Sequence, residues 1–193
     1  MQESEKIYTL AGVLFVITAV VALLLASVNQ LTAGKIEENS QKEQAEARAA
    51  VLQSAETFEE INYEPGEGSP VKQVFKGIAG ETVTGYCVNV SPNGFGGGIE
   101  MMVGITEEGR VEAVKIVSLS ETPGLGSKAQ DDAFISQYNG KSIEKPIDVI
   151  KSGVAKENEI VAIAGATVTS KAVTSGVNAA VAAVNTIMAG GSV

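Results

Sequence analysis

Three short segments hold the residues whose types and spacing could do chemistry. The first is Ala164-Gly165-Ala166-Thr167-Val168-Thr169-Ser170. It stands where a helical pattern begins, and the opening turn of a helix offers free N–H groups and the positive end of its dipole. Such a place takes an anion, and a phosphate suits it. Gly165 and Ala166 are small enough for a ligand to approach the backbone, and Thr167 sets a hydroxyl at the same place. The same residues also have an ordinary structural use, because Thr167, Thr169 or Ser170 could simply cap the helix.

The second segment is Glu121-Thr122-Pro123-Gly124-Leu125-Gly126. A proline and two glycines in six residues make a defined turn with exposed amides, and apolar Leu125 in its middle could meet a flat ring. It reads equally as a strand-to-helix connector. The third, Asn93-Gly94-Phe95-Gly96-Gly97-Gly98, has four glycines that let backbone pack closely on a ligand or on another segment. Phe95 could stack on a ring or pin the loop. No Lys-Ser/Thr ending follows, so it is not a P-loop, and a strand follows where a dinucleotide fingerprint needs a helix.

The surrounding elements must position these segments. Val71–Phe75, Val83–Val90, Ile99–Ile105 and Val111–Val117 read as strands. Ile99, Met101, Val103 and Ile105 alternate, which predicts one buried face. Gly109, in the short link Thr106–Arg110, suits a hairpin, and short links make an antiparallel meander. Ser118–Lys128 reads as a loop, and a short helix is expected around Gln130–Tyr138. Val173, Val177, Val181, Val184 and Met188 form a helical stripe, which predicts a buried face on a helix from about Thr169 to Met188. Gly190 and Gly191 stop it. Upstream, Gly34–Glu60 is rich in Glu, Gln, Lys and Ala and reads as helix, with Ala45, Ala49 and Leu52 near one face. Tyr63–Pro70 is a loop, since its Pro and Gly residues break both periodicities.

Residues Ile7–Val28 carry no charge. As a helix, about 22 residues rise roughly 33 Å, enough for a hydrocarbon core of about 30 Å. The leader before them holds Glu3 and Glu5 against Lys6, unlike the basic start of a cleaved signal, so the stretch reads as a retained anchor. Lys35, Lys42 and Arg48 follow the span against Lys6 before it, and charge alone leaves the orientation open.

Composition narrows the chemistry. The 193-residue chain has a formal net charge of -9, which disfavours nucleic acid as a partner. It has no histidine and one cysteine, Cys87. A zinc hydrolase and a His-activated nucleophile are therefore excluded, as is an internal disulfide. Redox chemistry would need a bound cofactor. Cys87 sits in a predicted strand and reads as a small buried apolar residue.

Taken together and in this order, GFGGGIEMMVGI, SETPGLGSKAQDDAFISQYNGKS and AGATVTSKAVTSGVNAAV resemble the FMN-binding domain family. With the N-terminal anchor, the chain is similar to the G subunits of Rnf complexes, ion-translocating ferredoxin:NAD+ oxidoreductases. The resemblance implies an electron-transfer subunit of an oxidoreductase complex, with no complete activity alone. It implies FMN esterified through its phosphate to Thr167 by a separate flavin transferase that uses FAD and magnesium. Glu121, Thr122, Gly124, Leu125 and Gly126 match the loop near the flavin ring. Gly165, Ala166, Thr169 and Ser170 match the phosphate end. No catalytic residue and no metal ligand is implied.

Ala164, Val161 and Leu119 depart from the family pattern, which commonly has Ser or Thr, an acidic residue and His at those positions. The implied partners are the other Rnf subunits, the transferase and membrane lipid. The implied place is the cytoplasmic membrane with the flavin domain on its outer face. The expected architecture is α+β: a twisted antiparallel sheet packed with helices, preceded by one transmembrane helix. Its expected parts are a tail (1–6), a span (7–28), a membrane-proximal helical segment (29–62) and an FMN-binding domain (63–193). Two other readings stand beside this one: the C subunit of a Na+-translocating NADH:quinone oxidoreductase, and a non-redox membrane-anchored binding protein.

Overall fold

The computed structural model describes residues 2–190 of the chain, with side chains from Ile7 onward. It divides into two compact units, Met1–Glu43 and Gln44–Val193. The first is the greater part of a single helix, α1 (Gln2–Val51), so residues 2–6 are helical rather than a separate tail. From Ile7 on, α1 is long and apolar enough to cross a membrane. Its most apolar window has a mean hydropathy of 2.7, with none of that window buried.

The second unit is an α+β domain. Strands β1 (Thr57–Ile61), β2 (Val71–Ala79), β3 (Thr82–Val90), β4 (Ile99–Thr106) and β5 (Val111–Leu119) form an antiparallel sheet in sequence order. Residues opposite each other across the ladders, such as Val74, Val88, Val103 and Val114, form a row on one face. Helix α3 (Thr167–Met188) lays Val173, Val177, Val181 and Val184 on that face, where they join Val88, Met101, Val103 and Ile105 in the main core. The amphipathic stripe thus buries as its spacing predicts. Met188 does not share in it and is 42% exposed.

Several expectations are corrected. α1 stops at Val51 rather than continuing to Glu60, and residues 57–61 pair with β2 as an edge strand. Strand pairing and the packing of Phe58 against the sheet override a middling helix preference there. Sheet and helix end thus draw the compact unit back to Gln44, ahead of the expected start at Tyr63. Within this helix end, Ala47 and Val51 are buried while Ala45 and Ala49, placed near one face with Leu52 from the sequence, are exposed; Leu52, just past the helix, is buried.

β4 is covered on both faces rather than one. Met102 is as deeply buried as Met101, because Ala47, Val51, Phe75, Cys87 and Met102 form a second cluster beneath the end of α1. Gly104 marks how close the two come, since a Cβ there would land on the Val51 carbonyl. Arg48 closes this cluster with its guanidinium 4.4 Å from the Phe75 ring centre.

The expected helix at Gln130–Tyr138 is broken into a 3-10 turn (Gly126–Gln130), a four-residue helix α2 (Asp132–Ile135) and another 3-10 turn (Ser136–Tyr138). Two three-residue strands, β6 (Asp148–Ile150) and β7 (Glu159–Val161), pair in parallel and were not expected from the pattern. β7 feeds directly into the turn before α3, so this small pair aims the helix.

Burial has a consequence for pH. Desolvation pushes the Cys87 thiol up from 9.0 to about 12, and the nearby Arg48 charge only partly opposes it. Burial likewise raises Tyr138, against the bond it makes to Thr174. Both groups are neutral in the folded state where the unfolded chain would ionise them. Stability is therefore fully present below about pH 9 and is lost as pH rises toward 12, with a slope near 1.4 kcal/mol per pH unit for each ionised group. Thermal melts of the full chain in detergent are expected to change little between about pH 7 and 9 and to fall above it, less steeply in Cys87→Ala. An equal slope in that variant would contradict the assignment.

Candidate functional site

Two turns of the same design frame the site. In the first, Leu125 N–H bonds to the Thr122 carbonyl at 3.2 Å, with Pro123 second and Gly124 third at φ +75°. In the second, Ala166 N–H bonds to the Ile163 carbonyl at 3.0 Å, with Gly165 third at φ +79°. A type II turn has this pattern, with proline favoured second and a positive φ, hence glycine, required third. The two turns meet at their tips, where a Cβ on Gly165 would sit 3.2 Å from Leu125 Cδ2.

Together with the glycine loop they enclose a pocket of about 410 Å³. It is lined by Phe95, Glu121, Thr122, Leu125, Gly126, Gly165, Ala166, Thr167, Val168 and Thr169. All three segments singled out from the sequence therefore converge. Eight of the ten residues proposed as binding line this one pocket: Glu121, Thr122, Leu125, Gly126, Gly165, Ala166, Thr167 and Thr169. Gly124 and Ser170 do not. Gly124 shapes the first turn and gives its N–H to Ser127 Oγ at 2.9 Å. Ser170 lies fully buried behind the pocket, where its Oγ accepts from Ile163 N–H and donates to the Ala166 carbonyl, each at 3.0 Å. That pair of bonds ties the turn to the helix it precedes.

The start of α3 has no side-chain cap, although three hydroxyl residues stand there. Ser170 is occupied as described, and Thr169 Oγ1 donates to Glu121 Oε2 at 3.0 Å. The Thr167 hydroxyl enters no hydrogen bond with the described residues, and its residue is half-buried at the pocket wall. The helix dipole and the first-turn amides are thus left to whatever the pocket takes. Capping, the ordinary use of these residues, is not what they do.

The other walls are apolar and open. Phe95 is 74% exposed, Val168 56% and Leu125 45%, although all three line the pocket. Val168 was not singled out from the sequence, where a valine between two threonines reads as one more helix position. The site therefore joins an anion-seeking end to apolar walls suited to a flat ring, in a volume typical of small-molecule pockets, about 300–1,000 Å³.

Known proteins resemble this chain in sequence and in fold. The FMN-binding domain family matches residues 94–182, which contain the whole pocket, and the RnfG N-terminal region matches residues 1–51. The chain is 40% identical over 187 residues to the G subunit of the Na(+)-translocating ferredoxin:NAD(+) oxidoreductase complex of Acetobacterium woodii, a match covering 90% of this chain and 89% of that protein. The chain belongs to the family of G subunits of these ion-translocating complexes.

Other members agree. The G subunit of the proton-translocating ferredoxin:NAD(+) oxidoreductase complex of Clostridium ljungdahlii is 30% identical, with 98% of this chain and 97% of that protein covered. Among solved structures, NqrC of Shewanella oneidensis has the same fold at a TM-score of 0.55 and 19% identity, over 74% of this chain and 72% of that one. The C subunit of the Na(+)-translocating NADH-quinone reductase of Parabacteroides distasonis does so at 0.52 and 22%, over 60% and 62%. The quinone-reductase alternative is thus a relation of fold, whereas the match to the G subunits runs the length of the chain.

Proposed function

We propose that this protein is the electron-relay subunit of a membrane-bound ferredoxin:NAD+ oxidoreductase complex and that it carries FMN esterified to Thr167. The observation that carries this reading is the Thr167 hydroxyl, without a hydrogen-bond partner among the described residues at the uncapped start of α3, on the wall of an apolar pocket. The residues fit the group on two counts. The first turn of α3 offers amides and a dipole to a phosphate that keeps one negative charge as a diester. Phe95, Leu125 and Val168 offer apolar surface to a tricyclic ring.

FMN supplies one- or two-electron transfer, which no side-chain set in this chain does. The chain contributes the rest. Thr167 Oγ1 would be the ester oxygen that holds the FMN phosphate, its hydroxyl proton being lost as a flavin transferase splits FAD and AMP leaves. The ester keeps the cofactor from dissociating on the open side of a membrane. Ser170 holds the turn that presents Thr167, and the absence of a side chain at Gly165 lets Leu125 lie close to that turn.

The long apolar helix and the membrane complexes to which its relatives belong support a membrane location. In this reading Ile7–Val28 is the span, lipid is its surrounding, the flavin domain faces the outer side, and the remaining subunits of the complex are the electron partners. Production with the cognate transferase, followed by a denaturing gel, tests it. A fluorescent flavin band is expected, and a dark band of unmodified mass would overturn the covalent reading.

A further inference from the structure

The Glu121 carboxylate joins three chain segments. Oε1 accepts the Phe95 N–H at 2.7 Å and the Gly96 N–H at 3.3 Å, while Oε2 accepts the Thr169 hydroxyl at 3.0 Å. The glycines of both loops are placed around it. A Cβ on Gly94 would land on Oε1, and one on Gly126 would land on Oε2 while lying 2.8 Å from Thr169 Oγ1. A Cβ on Gly96 would land on the adjoining Ser120 carbonyl. The glycine loop thus packs against another segment of the chain, and that segment is centred on this carboxylate.

We propose that Glu121 is the positioning residue of this pocket: its carboxylate clips the loop bearing Phe95 to the first turn of α3, which bears Thr167. Loop and helix start are 26 and 48 residues away from Glu121 in the chain, so without the clip the loop is held mainly by its own short turn. That turn has the bond from Gly94 N–H to the Gly97 carbonyl at 2.7 Å and, at its base, the bond from Ile99 N–H to the Pro92 carbonyl at 2.9 Å. The Thr169 hydroxyl, next but one to Thr167, is committed to Glu121. The loop-holding role stands on the geometry alone; its consequence for flavin loading rests on the function proposed above.

The test uses the full chain in detergent, with amide hydrogen exchange read at Phe95 and Gly96 in flavin-free protein and covalent FMN yield read after production with the cognate transferase. Glu121→Ala is expected to speed exchange at both amides by about tenfold or more and to lower the FMN yield. Glu121→Gln keeps an acceptor oxygen for the loop and is expected to rescue most of both. Gly94→Ala leaves the carboxylate in place but pushes it aside, so it should reproduce the Glu121→Ala behaviour; it also serves should Glu121→Ala fail to fold. Wild-type exchange at Phe95 and Gly96 in Glu121→Ala or in Gly94→Ala, or a Gln variant no better than Ala, would overturn the proposal. Wild-type protein that stays flavin-free while these amides respond as expected would contradict the flavin reading and leave the clip standing.

Discussion

Thr167→Ala yields a folded protein whose band on a denaturing gel shows no flavin fluorescence. The expectation has two halves, and the geometry argues each. The hydroxyl removed is the proposed ester oxygen, and alanine offers nothing in its place, so covalent FMN falls to background. The fold survives because that hydroxyl enters no hydrogen bond with the described residues and caps nothing, while the turn is held by Ser170 and the Ala166-to-Ile163 bond. A substitution that breaks no bond and opens no core cavity changes stability by about 0.5 kcal/mol or less. Thr167→Ser, which keeps a hydroxyl at the same place, should keep a fluorescent band. Loss of the folded state in Thr167→Ala, seen by circular dichroism or thermal melting, would make Thr167 a structural residue instead.

Gly104→Val is expected to be the most destabilising substitution considered. Gly104 is in β4, beneath the last turn of α1, and a Cβ there would land on the Val51 carbonyl and lie 3.1 Å from Val51 Cβ. The obstacle is backbone, so no side chain can swing aside. Either the helix end lifts from Phe75, Cys87 and Met102 or the strand bends. Overpacking of this kind costs about 3 kcal/mol, which for a unit of this size lowers Tm by roughly 6–12 °C. Thermal melting of the full chain reads the effect, and an unchanged Tm would mean that residues 47–51 do not seat on the sheet.

That contact also shows where a sequence stops being legible. β4 alternates plainly, and one buried face follows from it. Its second buried face depends on Ala47 and Val51, which lie in an Ala- and Glu-rich stretch whose periodicity points as readily to Ala45 and Ala49. Only the position of the sheet selects the face. β1 was hidden for a related reason, since an edge strand of five residues takes its stability from β2 rather than from its own pattern. The three-residue strands β6 and β7 are too short to carry a period at all.

The segments that line the pocket could be picked out because their signals are local. Pro123-Gly124 specifies a turn by residue type, and the uninterrupted stripe from Val173 to Val184 specifies the helix that starts within segment 164–170; the turn at Gly165 shows only in the structure. The spacing of the segments along the chain does not say that they meet, and it assigns Glu121 only to a loop. What Glu121 does depends on amides and a hydroxyl 25 to 48 residues away. Ser170, grouped with the phosphate end from its neighbours, is instead buried behind the pocket.

The most direct measurement is the mass of the peptide bearing Thr167, taken from protein made with its cognate transferase and fragmented to locate any adduct. The account predicts an added FMN, less one water, on Thr167 itself. An unmodified Thr167 peptide, or an adduct carried by Thr122 or Thr169 instead, would contradict it.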